Sequence, residues 1–328
     1  MKSLYLCESP DNVDYVYGAA QKSRLMSLTE NDGRVCRLSD LADGSDAEVI
    51  FSTWGMPRVE EADIPRLFPK LKAVFYAAGS VQAFAEPFLR SGVAVFSAWQ
   101  ANAVPVAQYT LAQITLAVKG YFTAQRLFRT SRKQAQEAVR HYPGLYEIRV
   151  GLLGLGGVGR AVAKLLRPYG FEVLGCDPYV SDERMAELGV RRASMEEIFA
   201  SCDVVSNHLP NLPATRGIIR REHLFSMKEY ATFINTGRGP QLDEGDLYEL
   251  LTQRDDLTAL LDVLTDEADA DNNPLNRLPN CLITPHIAGS MGNEAHRMAE
   301  YMLDEFERWR DGRETPFRVT LNMLETMA

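Results

Sequence analysis

What the chain of 328 residues has little of narrows its role first. Its five cysteines, Cys7, Cys36, Cys176, Cys202 and Cys281, are scattered, with no Cys-x-x-Cys pair. No zinc or other metal site and no disulfide framework is expected; buried free thiols in a reducing cytoplasm are. No apolar run approaches the roughly 20 residues of a membrane helix, and the chain meets Glu8 too soon for a signal-peptide core. Cations are scarce too, with 35 Lys and Arg against 44 Asp and Glu and a net charge of −9. No basic run offsets that balance, which argues against nucleic acid as a partner, because phosphate binding leans on Lys and Arg. Internal repeats and low-complexity linkers are also missing. What remains, 46% hydrophobic and 24% charged, is a globular chain long enough for two domains.

The opening alternates strand and helix signals. Apolar runs at Leu4–Cys7, Val35–Leu38, Glu48–Thr53 and Lys72–Ala77 have strand length, with helical character from Asp11 and over Asp63–Phe68. A long helical pattern without a strand signal runs from Ala103 to Arg140. A second alternating block then begins, with strands expected at Arg149–Leu153, Glu172–Cys176, Asp203–Asn207, Ala231–Asn235, Ala259–Val263 and Leu282–Thr284. After Pro285, Met298, Met302, Phe306 and Trp309 fall at helical spacing within Asn293–Arg310. Such alternation implies parallel sheets covered by helices. The short tail needs somewhere to pack, and its return to the N-terminal domain is expected.

The second block opens on Val150-Gly151-Leu152-Leu153-Gly154-Leu155-Gly156-Gly157-Val158-Gly159, a strand running into Gly-x-Gly-x-x-Gly. Gly154 allows the tight turn, Gly156 lets backbone approach a pyrophosphate, and Gly159 lets helix and strand pack closely. The free N–H groups of the helix start, around Gly157 and Val158, favour phosphate. Asp177 ends the next strand where this motif wants an acid for the adenosine ribose hydroxyls. Its charge would repel a 2′-phosphate, and Pro178-Tyr179 follow it with no Lys or Arg, so NAD is expected over NADP. The fold expected is α/β: two Rossmann-like domains with parallel sheets. A nucleotide-binding domain, 102–290, would be inserted into a substrate-binding domain, 1–101 and 291–328.

Three further groups follow predicted strands. Arg238, between Gly237 and Gly239, offers a planar fork for a carboxylate; Asp262, Asp266 and Glu267 lie beyond another strand; His286 stands in Thr284-Pro285-His286-Ile287-Ala288-Gly289. Taken singly, a surface ion pair, a solvated acidic loop and an exposed histidine are equally good readings. Together they meet the needs of hydride transfer to a 2-oxo acid. That reaction wants a cation for carboxylate and developing alkoxide, a proton donor, and an acid that orients the donor.

At these positions the sequence resembles the D-isomer-specific 2-hydroxyacid dehydrogenases. The matching stretches are Gly154–Gly159 with Asp177-Pro178-Tyr179, His208-Leu209-Pro210 with Thr215-Arg216-Gly217, Asn235–Gly239, Asp262-Val263 through Glu267, and Thr284–Gly289. The resemblance implies that Arg238 binds the substrate carboxylate and carbonyl, that His286 is the acid for reduction and base for oxidation, and that Glu267 hydrogen-bonds His286. It implies that Asp262 contacts the nicotinamide carboxamide and that Leu209, Pro210, Thr236, Gly237, Arg238, His286 and Gly289 line the cofactor. Ala78, Gly79 and Ser80, within Ala77–Ser80, resemble the family loop whose N–H groups hold the substrate carboxylate. A small acid such as glyoxylate or hydroxypyruvate is the expected substrate, with Trp54 or Trp99 as a candidate aromatic wall, and a homodimer is expected through the helical stretch after Ala103.

The chain also departs from the family. Ala268 stands where proline usually follows the glutamate, Val106-Ala107-Gln108-Tyr109 replaces Val-Ala-Glu-His, and Tyr146-Glu147-Ile148-Arg149 replaces Leu-x-Gly-Lys. None removes a candidate catalytic group. The rival from another class is a non-catalytic NAD(H)-sensing corepressor on the same scaffold, against which stands the lack of a basic surface run. A formate or phosphite dehydrogenase would need different polar groups.

Overall fold

Three short runs of the same kind, Val-Ile-Phe-Ser, Ala-Val-Phe-Tyr and Ala-Val-Phe-Ser, make neighbouring strands of the first sheet, because β-branched and aromatic residues suit a pleated, buried surface. The computed structural model describes residues 1–326. Its strands in chain order begin with β1 (Ser3–Leu6), β2 (Val35–Cys36), β3 (Val49–Ser52), β4 (Ala73–Tyr76) and β5 (Ala94–Ser97). There follow β6 (Arg149–Leu153), β7 (Glu172–Cys176), β8 (Val190–Arg192), β9 (Val204–Asn207), β10 (Thr232–Asn235), β11 (Thr258–Leu261), β12 (Cys281–Ile283) and β13 (Arg318–Val319). The chain divides into two units, Met1–Ala103 with the chain from Ser290 onward, and Val104–Gly289. These limits lie beside the 101/102 and 290/291 drawn from the sequence.

In the first unit the strand order is β13-β5-β4-β3-β1-β2. Register pairs Phe51 with Phe75 and Phe75 with Phe96, so their rings stack at 5.3 and 4.5 Å. Phe306, on the helix Asn293–Arg310, meets Phe51 and Phe75 edge-on at 5.5 Å. The long helix after the second unit is thereby fixed to the sheet of the first. β13 joins β5 antiparallel, so the tail supplies one edge strand in the opposite sense to the parallel strands beside it. Glu305, fully buried on the same helix, accepts the Phe317 N–H at 2.8 Å just before β13.

The second unit orders its strands β12-β11-β10-β9-β6-β7-β8, all parallel. The order reverses between β6 and β9, the place where open α/β sheets bind ligands at their carboxyl ends. The helical pattern from Ala103 to Arg140 resolves into three helices, Trp99–Ala117, Tyr121–Phe128 and Arg132–Ala138. Gly120, left-handed at φ +63°, and Ser131, whose side chain caps the Gln134 N–H, punctuate them. Among the described residues no helix is long and apolar enough to cross a membrane.

Candidate active site

The parallel register of the second sheet does most of the assembly. Leu153 pairs with Asn207, Asn207 with Asn235, Asn235 with Leu261, and Leu261 with Ile283. The residues one step beyond, Gly154, His208, Thr236, Asp262 and Thr284, therefore emerge side by side on one sheet edge. Motifs far apart in the sequence become neighbours because each strand stops at the same level.

At the switch point, β6 turns into the helix Gly157–Leu166. A Cβ on Gly159 would lie 2.0 Å from the Gly154 carbonyl oxygen, so only glycine lets strand and helix approach this closely. A Cβ on Gly156 would meet nothing within 4 Å, leaving its face open. The first helical turn, including Gly157 and Val158, leaves N–H groups without intrahelical acceptors. Asp177 accepts the Leu155 N–H at 2.7 Å and the Tyr179 N–H at 2.8 Å, tying the glycine loop to the end of β7. Open backbone donors for a pyrophosphate beside a fixed carboxylate for ribose hydroxyls fit a dinucleotide. Sequence reading missed Arg192, whose guanidinium donates to the Asp177 carbonyl at 2.8 Å and also pairs with Asp182. That cation is committed within the protein.

Next along the edge, three buried amides fix the loops after β9 and β10. Asn207 donates to Asn235 at 3.0 Å and to Gln241 at 2.5 Å, and Gln241 in turn donates to the carbonyls of Leu209 and Pro210 at 2.8 Å. Asn235 accepts the Gly237 N–H and donates to the Arg238 carbonyl, while Gln241 accepts the Arg238 N–H. Neither Asn207 nor Gln241 was singled out in the sequence, since amides carry no chemistry until their partners are known. His208 has hydroxyls at both ring nitrogens, Ser206 at 3.0 Å and Thr236 at 3.4 Å. Burial pushes its pKa down to about 3, so it is a neutral imidazole.

Arg238 follows this network. Its guanidinium donates to the Gly237 carbonyl at 2.7 Å but forms no salt bridge among the described residues. Burial draws its pKa below the ordinary arginine value, with the charge of Glu267 acting in the opposite direction. A guanidinium so desolvated, with no salt bridge among the described residues, can take an anion from outside. Gly239 explains how Glu267 comes near: a Cβ there would lie 2.1 Å from the Leu264 carbonyl carbon, so the two loops touch backbone to backbone.

Glu267 accepts from His286 Nδ1 at 3.0 and 3.1 Å. With that nitrogen engaged, Nε2 is the one left to face a ligand. His286 has φ +55°, a left-handed conformation that costs a non-glycine residue about 1–2 kcal/mol. The cost is borne by Asp262, 2% exposed, which accepts the N–H groups of Ile287 and Ala288 at 2.8 Å and the Thr284 hydroxyl at 2.6 Å.

In the first unit, Ala77–Ser80 follows β4. Thr53 donates to the Ala77 carbonyl at 2.9 Å, and Ser97 donates to the carbonyls of Ala78 and Gly79 at 3.0 and 2.7 Å. With these carbonyls turned inward, the N–H groups of Ala78, Gly79 and Ser80 donate to no backbone acceptor among the described residues. Such a row of free N–H groups is able to receive an anion. Trp54 follows β3 beside it, its carbonyl held by Asn12 at 2.9 Å and its ring 6.4 Å from Tyr15. Trp99 instead turns its ring N–H into the protein, buried and without a hydrogen-bond partner among the described residues.

Residues 111–288 match the family model for D-isomer specific 2-hydroxyacid dehydrogenase, NAD binding domain. A D-3-phosphoglycerate dehydrogenase of Archaeoglobus fulgidus is 34% identical over 202 residues, 61% of this chain and 37% of that protein. A hydroxypyruvate reductase of Blautia hydrogenotrophica is 31% identical over 163 residues, 50% of either chain. The chain spans half or less of the length of these curated relatives. Among solved structures, the TT0316 protein from Thermus thermophilus superposes with a TM-score of 0.70 at 26% identity, over 98% of this chain and 100% of that one. An NAD-complexed D-isomer specific 2-hydroxyacid dehydrogenase from Lactobacillus delbrueckii ssp. bulgaricus, 20% identical, shares the fold with a TM-score of 0.75 over 98% and 100%.

Proposed function

Because the chain belongs to the D-isomer specific 2-hydroxyacid dehydrogenase family, we propose that it moves a hydride between NAD(H) and C2 of a small D-2-hydroxy acid or the matching 2-oxo acid. The observation that carries this reading is one sheet edge presenting an unpaired, desolvated guanidinium and a carboxylate-held imidazole beyond a dinucleotide loop. Bound NADH supplies the hydride for C2. Arg238 holds the substrate carboxylate and stabilises the charge that grows on the carbonyl oxygen. His286 gives that oxygen a proton from Nε2 during reduction and removes it during oxidation. Glu267 holds Nδ1–H and so orients the imidazole. Asp262 would contact the nicotinamide carboxamide, and the backbone of Thr236–Arg238 with Leu209, Pro210 and Gly289 would line the cofactor. Ala78, Gly79 and Ser80 offer their N–H groups to the substrate carboxylate.

A short, unphosphorylated acid of the glyoxylate or hydroxypyruvate kind fits best. A phosphate would need cations beside the Ala78–Ser80 N–H groups, and Arg58, in the stretch after Trp54, is paired with Glu60 at 3.2 Å. A homodimer is supported by apolar side chains that the second unit leaves exposed, among them Leu116, Tyr121, Phe128, Leu145 and Tyr146. Five free thiols suit the reducing cytoplasm. The test is a panel of glyoxylate, hydroxypyruvate, pyruvate and 3-phosphohydroxypyruvate with NADH, followed at the nicotinamide absorbance band. Oxidation of NADH by the unphosphorylated acids is expected; turnover of none of them contradicts the reading.

A further inference from the structure

Tyr109 stands on the helix Trp99–Ala117. Its phenol oxygen lies 3.1 Å from Thr284 Oγ1. Proton counting settles the direction of that bond. A threonine hydroxyl has one proton, and Thr284 gives it to Asp262 Oδ1 at 2.6 Å. Tyr109 is therefore the donor to Thr284. Burial raises the phenol above the ordinary tyrosine range, which keeps that proton in place.

Asp262 Oδ1 also accepts the Ile287 N–H, and Oδ2 the Ala288 N–H, each at 2.8 Å. One carboxylate thus grips the chain on both sides of His286, at Thr284 before it and at Ile287 and Ala288 after it. The turn between is closed by the His286 N–H on the Thr284 carbonyl at 2.9 Å, with His286 at φ +55°. The weak point of the grip is the Thr284 hydroxyl, which can rotate toward the Leu261 carbonyl, 3.5 Å away. The phenol occupies one lone pair of that hydroxyl and fixes its rotor.

We propose that Tyr109 is a positioning residue for His286, acting through Thr284 and Asp262 to hold the histidine's left-handed turn. The proposal deepens the functional reading above and rests on it for the role of His286. The relay itself lies wholly within the second unit and is measurable without turnover.

Tyr109→Phe removes only the phenol O–H. Peptide-resolved hydrogen exchange is expected to show residues 284–289 exchanging about tenfold faster, with β6 unchanged, as a local opening loses one restraint. In the NADH-dependent reduction of the best acid from the panel, kcat falls about fivefold to thirtyfold while KM for NADH stays within about twofold. Thr284→Val reproduces both effects, Thr284→Ser rescues them, and Tyr109→Phe with Thr284→Val is no worse than Thr284→Val alone, because both act on one chain of bonds. Unchanged exchange over 284–289 in Tyr109→Phe overturns the proposal, as does a double variant whose losses multiply. If His286→Ala keeps its turnover, the functional reading fails instead, and the exchange measurement still decides the relay.

Discussion

At the scale of single residues, the groups that carry charge were legible and the groups that aim them were not. Arg238, Glu267 and His286 stand out in the sequence because their types match a reaction and each follows a strand. Asn207, Gln241 and Tyr109 do not, since an amide or phenol acquires meaning only from partners set by register. Arg192 escaped notice because it lies fifteen positions after the acid it neighbours. Two predictions belong here. Asp177→Ala removes the negative charge that would face a 2′-phosphate, so the ratio of kcat/KM for NADPH to that for NADH rises about tenfold or more. Steady-state kinetics with both coenzymes checks it. Arg238→Lys keeps the charge but loses the planar fork, so kcat/KM for the 2-oxo acid falls about a hundredfold while NADH affinity measured by fluorescence hardly moves.

At the scale of elements, the long and strongly patterned segments were readable. Strands β6 and β7 and the helix Asn293–Arg310 were expected with the limits the structure gives them. The failures were short or edge elements. β5, four residues, was not among the expected strands; β8 and β13 have three and two residues and owe their existence to a neighbouring strand. Propensity cannot announce a pairing of that kind. The close contact at Gly239 makes an element-level prediction. Gly239→Ala places a methyl carbon against the Leu264–Thr265 backbone, so the loops bearing Arg238 and Glu267 must part. Activity should fall further than the melting temperature does, as shown by assay alongside thermal unfolding. The tail makes another. Burial raises the Glu305 carboxyl above its ordinary pKa although the Phe317 N–H opposes this. A raised folded-state pKa gives stability that is present below the unfolded value and lost as pH rises through the folded one. Glu305→Gln should flatten that part of the profile above the ordinary glutamate pKa of 4.5, where the wild type loses stability as pH rises. Thermal melts across that range test the slope.

At the scale of the whole molecule, the inserted arrangement was visible because a glycine-rich nucleotide loop began mid-chain and a helix with a short tail was left over. The second sheet's alignment was not visible, although it follows from parallel strands ending at one level. The sequence pattern also could not show that the stretch after Ala103 is three helices that leave Leu116, Tyr121 and Phe128 exposed. Equilibrium sedimentation at micromolar concentration should give twice the 36.7 kDa of one chain. Phe128→Asp, charging one exposed aromatic, should shift that equilibrium toward monomer.

The measurement closest to the central claim is His286→Ala assayed two ways on the same preparation. The account predicts that reduction of the 2-oxo acid by NADH drops at least about a thousandfold, the scale of a lost general acid, while NADH fluorescence titrates with an affinity close to that of the unaltered protein. Turnover that survives the loss of the imidazole would contradict it.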